Sequence, residues 1–331
     1  MSTSGGTKAI VAALLANVGI AVAKFIAFLL TGSSSMLAES VHSVADSGNQ
    51  GLLLVGGKRA ARQATAEHPF GYGRERYIYA FIVSIVLFSV GGLFALYEGY
   101  HKISEPEALV SPLIAIGVLV VAIGLEAYSF RTAIVESNKV RGDKSWIQFI
   151  RHAKAPELPV VLLEDFGAQV GLVLALIGVG LSVITGDAVW DGIGTVCIGV
   201  LLVLIAIILA IETKSLLLGE SASLDMQHRI VDALTGDPDI DSVIHMRTLH
   251  LGPEELLVAA KLAIGPDVSA TDIVGAINDA EQRVRAAEPI ARVIYLEPDF
   301  RDPDETPARQ PAAAVAPVDS VARDSNAETP S

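Results

Sequence analysis

His42 and Asp46 stand four residues apart in a stretch that otherwise reads as membrane helix, from Ser33-Ser34-Ser35-Met36-Leu37 through Leu52-Leu53-Leu54-Val55. At about 100° per residue, positions i and i+4 share one helix face, about one turn apart. An imidazole and a carboxylate placed there make a pair of metal ligands. Ionisable groups at membrane depth cost roughly 2.5–3.5 kcal/mol each on insertion scales, so they are read as functional. The competing reading is a polar pair near a helix end, or glue between two helices. A second acidic cluster, Glu164-Asp165, weighs against it. This cluster lies between Val160-Val161-Leu162-Leu163 and Gly171-Leu172-Val173-Leu174. Adjacent residues diverge by about 100°, so only one of the two carboxylates faces a shared site squarely. Imidazole and carboxylate donors suit zinc and its neighbours manganese, iron, cobalt and cadmium. These residues point to a divalent cation held inside a membrane.

The elements that position them follow from hydropathy. The chain has 331 residues, 51% of them hydrophobic and 18% charged. Spans of roughly 20 apolar residues are expected at about 9–30, 34–56, 77–100, 111–134, 158–184 and 190–213. The second is the most polar, and neither the second nor the fifth stands out by hydropathy alone. The N-terminus, Met1-Ser2-Thr3-Ser4-Gly5-Gly6, has no basic region, so no cleavable signal peptide is expected. The single Cys197 excludes an intramolecular disulfide and thiolate-rich metal chemistry, and reads as a small buried packing residue. Lys58, Arg59, Arg62, Arg74 and Arg76 follow span two, and Arg131, Lys139, Arg141, Lys144, Arg151 and Lys154 follow span four. The opposite loops are nearly free of basic residues, so the protein is expected to be multi-pass with both termini cytoplasmic.

The composition changes after the sixth span. Residues 1–214 read as a transmembrane domain of six helices, and 215–300 as a small cytoplasmic α+β domain. That domain is expected in the ferredoxin-like order α-β-β-α-β. Ser223 to Leu234 is a helix, and Val243 to Leu251 and Leu256 to Ile264 are strands around the turn Gly252-Pro253-Glu254. Ser269 and Asp272 are expected to form a capping box for the second helix, and Val293 to Leu296 to close the sheet. A unit of this size gains core by association. Residues 301–331, rich in Pro, Ala, Ser and acids, are expected to be disordered. The net charge of −13 arises largely after the spans.

This arrangement resembles the cation diffusion facilitator family over residues 8–298. The resemblance is carried by Gly32-Ser33-Ser34-Ser35-Met36-Leu37-Ala38-Glu39-Ser40-Val41-His42-Ser43-Val44-Ala45-Asp46 and by His68-Pro69-Phe70-Gly71-Tyr72-Gly73-Arg74-Glu75-Arg76-Tyr77. Asn17, Lys24 and Trp190-Asp191-Gly192 add to it. The resemblance implies proton-coupled efflux of zinc or a related divalent metal by a homodimer in the cell membrane, at a site shared between helices two and five. Most members carry His or Asp four residues before the position of Asp165. Here that residue is Val161, which cannot ligate. The run Leu162-Leu163-Glu164-Asp165 with Ala168 and Gly171 is instead similar to the branch containing the animal mitochondrial zinc transporter. The ligands so implied are His42, Asp46 and Asp165, completed by Glu164 or water. The family register favours Asp165 as the carboxylate facing helix two.

Glu98 and Glu126 are candidates for lining the pathway or for lateral packing and snorkelling to the interface, and Glu39 is a candidate entrance carboxylate. Glu39 is also a candidate for orienting His42. In the soluble domain, His245 matches the start of a regulatory zinc pattern, but Lys261, Tyr295 and Glu297 stand where further ligands belong, so no metal is expected there. His228, His245 and His250 then read as ordinary surface or strand residues. The implied partners are divalent ions (zinc, manganese, iron, cobalt or cadmium), protons, the lipid bilayer and a second copy of the chain. No cofactor and no nucleic acid are expected. The rival class is a membrane-embedded metal-dependent hydrolase or a metal sensor without flux. Such a hydrolase commonly carries a His-Glu-x-x-His helix, and the sequence has none.

Overall fold

The computed structural model describes residues 3–107 and 109–300, with side chains from residue 17 onward. The expectation of disorder over 301–331 falls outside the described residues. Internal contacts divide the chain into two units, Met1–Glu220 with His250–Glu254, and Ser221–Leu249 with Glu255–Ser331.

The first unit is helical. It comprises α1 (Thr3–Thr31), α2 (Ser34–Ala60), α3 (Glu75–Val86), a π-helical stretch (Leu87–Leu93), α4 (Phe94–Ser104), α5 (Pro112–Arg141), a short α6 (Trp146–His152), α7 (Glu157–Thr185) and α8 (Val189–Leu218). Its surface inverts the pattern of a water-soluble bundle. Helix α2 buries Ser34, Ser35, Glu39, His42, Ser43 and Asn49 while exposing Val44, Leu54 and Val55. Helix α5 leaves Leu113, Val121 and Leu125 open. Apolar side chains turned outward and polar ones inward suit a lipid solvent.

Among the described residues, four helices are long and apolar enough to cross a membrane: Glu75–Ser104, Pro112–Arg141, Glu157–Thr185 and Val189–Leu218. The fifth predicted span reaches that standard as α7, because Glu157, Glu164 and Asp165 are its only charged residues. Helix α2 is long but too polar, and the described apolar part of α1 is the shorter Asn17–Thr31. Cys197 corrects the expectation of burial, since it is exposed. It lies on the outward face of α8, in register with the exposed Ile193, Val200 and Leu204.

Local chemistry sets the helix ends. Gly32 at φ +67° closes α1, and Ser33 opens α2 by accepting a hydrogen bond from the Met36 amide. Ser145 and Gln148 form a reciprocal capping box that starts α6, a helix the hydropathy pattern does not reveal. The rod from α3 to α4 meets α8 through glycines. A Cβ on Gly99 would stand 2.7 Å from the Val196 amide nitrogen, and one on Gly199 would stand 2.8 Å from that of Leu96. Small residues at these crossings let the backbones approach.

The second unit follows the order helix, strand, strand, helix, strand: α9 (Leu224–Leu234), β1 (Ile240–Gly252), β2 (Glu255–Ile264), α10 (Ala270–Ala287) and β3 (Ala291–Asp299). The sheet order is β1-β2-β3, with β2 and β3 parallel and α10 between them in sequence. Along β2, Leu256, Val258, Ala260 and Leu262 alternate into a core shared with Ile230, Leu234, Ala280 and Val284. Ser269 caps α10 by accepting from the Asp272 amide. The Asp272 carboxylate takes the Ser269 hydroxyl rather than the cap's backbone N–H, so only half of the capping box forms.

Candidate metal site

The rotation of α2 is fixed from its N-terminus by a residue about 160 positions away in sequence. Asp191, fully buried at the start of α8, accepts hydrogen bonds from the Ser33 hydroxyl (2.9 Å), the Ser34 amide (2.8 Å) and the Ser34 hydroxyl (3.1 Å). A carboxylate at a helix N-terminus meets both unpaired amides and the positive end of the helix dipole. Anchored in this way, α2 turns Glu39, His42, Asp46 and Asn49 along one face, at intervals of three, four and three residues.

His42 Nε2 lies 3.5 Å from Asp46 Oδ2. The His42 side chain is buried and Asp46 retains 18% exposure. On α7, Glu164 and Asp165 are both buried but turn different ways. Glu164 reaches α2, where Oε1 accepts from Asn49 Nδ2 at 2.6 Å. Asp165 Oδ2 accepts from the Ser129 hydroxyl of α5 at 3.0 Å. Asp46 and Asp165 both act electrostatically on Glu164, and Asp165 and Asp46 act on the half-buried Glu126 of α5. The two helices therefore bring a common field of carboxylates together. Among the described residues, however, no three His, Cys, Asp or Glu side chains stand close enough to hold one ion as placed. Ligation by this set requires side-chain rotation, and atoms are free to make it. His42 Nδ1 and Nε2, Asp46 Oδ1, Asn49 Oδ1 and Glu39 Oε1 are all buried without a hydrogen-bond partner.

The neighbours explain the free space and the charge. A Cβ on Gly91, in the π-helical stretch, would lie 3.9 Å from His42 Nδ1, so this irregular turn borders the imidazole. Such π turns are frequent at functional sites. Glu39 is tied to α1, where Lys24 Nζ donates to its Oε2 (3.0 Å) and to the Ser43 hydroxyl (2.8 Å). Its other oxygen faces Gly171 of α7, where a Cβ would come within 2.7 Å. Val161 packs with Ala133, Phe149 and Leu162, as an apolar residue should.

Sequence reasoning missed Asn49 and Ser129, which orient the two α7 carboxylates. Asn49 was detectable as a polar residue seven positions after His42, on the same helix face. For Ser129 the sequence held no signal, because its role depends on how α5 meets α7.

In the second unit the zinc-pattern positions are filled differently. Lys261 Nζ pairs with the Asp299 carboxylate and lies 3.7 Å from Glu297. That ammonium holds the Asp299 carboxyl below its ordinary range. His228 and His245 are exposed, and His250 is a buried residue of strand β1. His250 groups with the first unit, where burial, reinforced by the Lys154 charge, lowers its pKa.

Residues 10–218 match the family model of the cation efflux transmembrane domain. The chain is similar to the mitochondrial proton-coupled zinc antiporter SLC30A9 of Homo sapiens, with 29% identity over 250 residues, 75% of this chain and 44% of the antiporter. The Xenopus laevis antiporter is 30% identical over 264 residues, 79% of this chain and 47% of its own length. The magnetosome protein MamM of Paramagnetospirillum magneticum is 26% identical over 281 residues, 83% of this chain and 80% of its own length. The chain thus spans less than half the length of the antiporters it matches. With a family model covering well over half of its residues, an apolar exterior and a polar helix facing inward, this multi-pass membrane protein belongs to the cation efflux (cation diffusion facilitator) family, in the neighbourhood of the mitochondrial zinc antiporters.

Proposed function

We propose that this protein is a proton-coupled efflux transporter for divalent cations, with zinc as the main substrate and manganese, iron, cobalt and cadmium as related ones. The observation that carries the reading is the α2 stripe of buried, unpartnered metal-ligating atoms at His42 and Asp46, beside the Glu164 and Asp165 carboxylates of α7. Unpaired buried polar atoms are costly and call for a partner. A divalent ion between α2 and α7 would be one.

The chemistry of such ligands supplies the coupling. Metal binding requires a neutral imidazole and ionised carboxylates, so loading releases protons and unloading takes them back. A histidine, with an ordinary pKa near about 6.5, is suited to that exchange. In this reading residues 1–214 cross the cell membrane as six helices with both termini cytoplasmic. Residues 215–300 are a ferredoxin-like cytoplasmic domain, 301–331 are a disordered tail, and two copies form the working unit.

The test is zinc flux by the purified protein in sealed vesicles. Wild type is expected to move zinc. His42→Ala and Asp46→Ala are each expected to lose more than about tenfold of the rate, since each removes a ligand, while still eluting as folded protein. Near-normal flux in Asp46→Ala would sink the assignment. Binding without flux in wild type would favour a sensor.

A further inference from the structure

Asn49 is fully buried on α2, three residues beyond Asp46 and seven beyond His42. Its two polar atoms are in opposite situations. The Nδ2 amide donates to Glu164 Oε1 at 2.6 Å, while Oδ1 is buried with no hydrogen-bond partner. In this orientation the amide presents its N–H side to the Glu164 oxygen, which accepts. The carbonyl oxygen is thereby left over. An asparagine serving only to join α2 to α7 would be expected to use both ends, since an orphaned buried acceptor is a net loss. This orphan sits on the same helix face as the free atoms of His42 and Asp46, about 4.5 Å along the axis from Asp46 at the helical rise.

We propose that the Asn49 carboxamide oxygen is a further metal ligand. With Glu164 it forms an oxygen-only station next to the His42–Asp46 pair, and it biases the site toward harder cations. This assignment rests on the metal-ion reading of α2. A neutral carbonyl and a carboxylate are hard oxygen donors suited to manganese, whereas the imidazole of His42 favours zinc. Asn49 and His42 therefore pull selectivity in opposite directions from the two ends of the stripe. The N–H bond to Glu164 holds the second oxygen donor beside the first, so one asparagine both ligates and positions.

The test is equilibrium binding of zinc and manganese to the purified full-length protein in lipid nanodiscs, by calorimetry. Asn49→Leu keeps the volume and removes both polar atoms. It is expected to raise the manganese dissociation constant about tenfold or more, in the range found for groups around a metal, and the zinc constant less than about threefold. His42→Ala is expected to show the reverse pattern. If Asn49→Leu does not fold, Asn49→Ala is read in the same way. A loss equal for both metals would make Asn49 a structural joint only, and affinities unchanged within about twofold would remove it from the site. Either result overturns the proposal. Because binding and not flux is measured, a wild type that binds both metals but transports neither would refute the transport reading and leave the Asn49 result to be judged by the same pattern.

Discussion

Glu164 and Asp165 leave α7 about 100° apart, and their hydrogen bonds follow that divergence, one to Asn49 on α2 and the other to Ser129 on α5. The family register favours Asp165 as the carboxylate facing helix two, whereas the hydrogen bond to α2 belongs to Glu164. Substitution separates the two. Glu164→Gln keeps the shape and removes the charge beside Asn49 and Asp46. It is expected to weaken zinc binding about tenfold, more than Asp165→Asn, whose oxygen is engaged by a serine outside α2. Val161→Ala trims an apolar contact and is expected to leave affinity unchanged. Isothermal titration of the three variants decides the order. A larger loss in Asp165→Asn would return the main role to the residue the family register favours.

Helix α2 carries an unusually polar face into the bundle, so something outside it must hold its rotation. Asp191 does this by accepting from the hydroxyl and amide groups at the α2 N-terminus, while Thr195 shares a hydrogen bond with each of the Ser34 and Ser35 hydroxyls. Hydrogen bonds to a charged acceptor contribute about 1.5–3 kcal/mol each. Asp191→Ala is therefore expected to destabilise the protein by at least about 2 kcal/mol and to lower metal affinity, although the serines it holds lie about two turns from His42 along α2. Thermal unfolding in detergent, run beside zinc titration, checks both halves. An unchanged midpoint would show that α2 is held by packing with its neighbouring helices, chiefly α1 and α3. The glycine crossings between the α3–α4 rod and α8 leave no room for a side chain, which brings the π-helical stretch and its Gly91 up to His42.

At the level of the whole molecule, the proposed exchange of protons for metal gives a directional prediction. Vesicles loaded with zinc at the cytoplasmic face are expected to release it faster when an inward proton gradient is imposed. A protonophore is expected to remove that acceleration, because the ligands must be reprotonated for the ion to leave. Flux indifferent to the gradient would make the protein a uniporter. In the second unit, Lys261 places an ammonium beside Glu297 and Asp299, where a second metal would need ligands. Metal is accordingly expected to act on this protein through the membrane helices.

From the sequence alone came the residue types able to ligate a metal, the helical spacing that puts His42 and Asp46 on one face, the silent Val161, and the order of helices and strands in the second unit. These are local properties, set by periodicity, capping residues and the cost of burying charge. Only the tertiary structure decided which way each carboxylate on α7 turns, that Asn49 holds Glu164 with one atom and leaves another free, that Asp191 caps a helix far away in sequence, and that Cys197 faces outward. The rotation of a helix about its own axis is set by what it packs against, and those partners are many residues away along the chain.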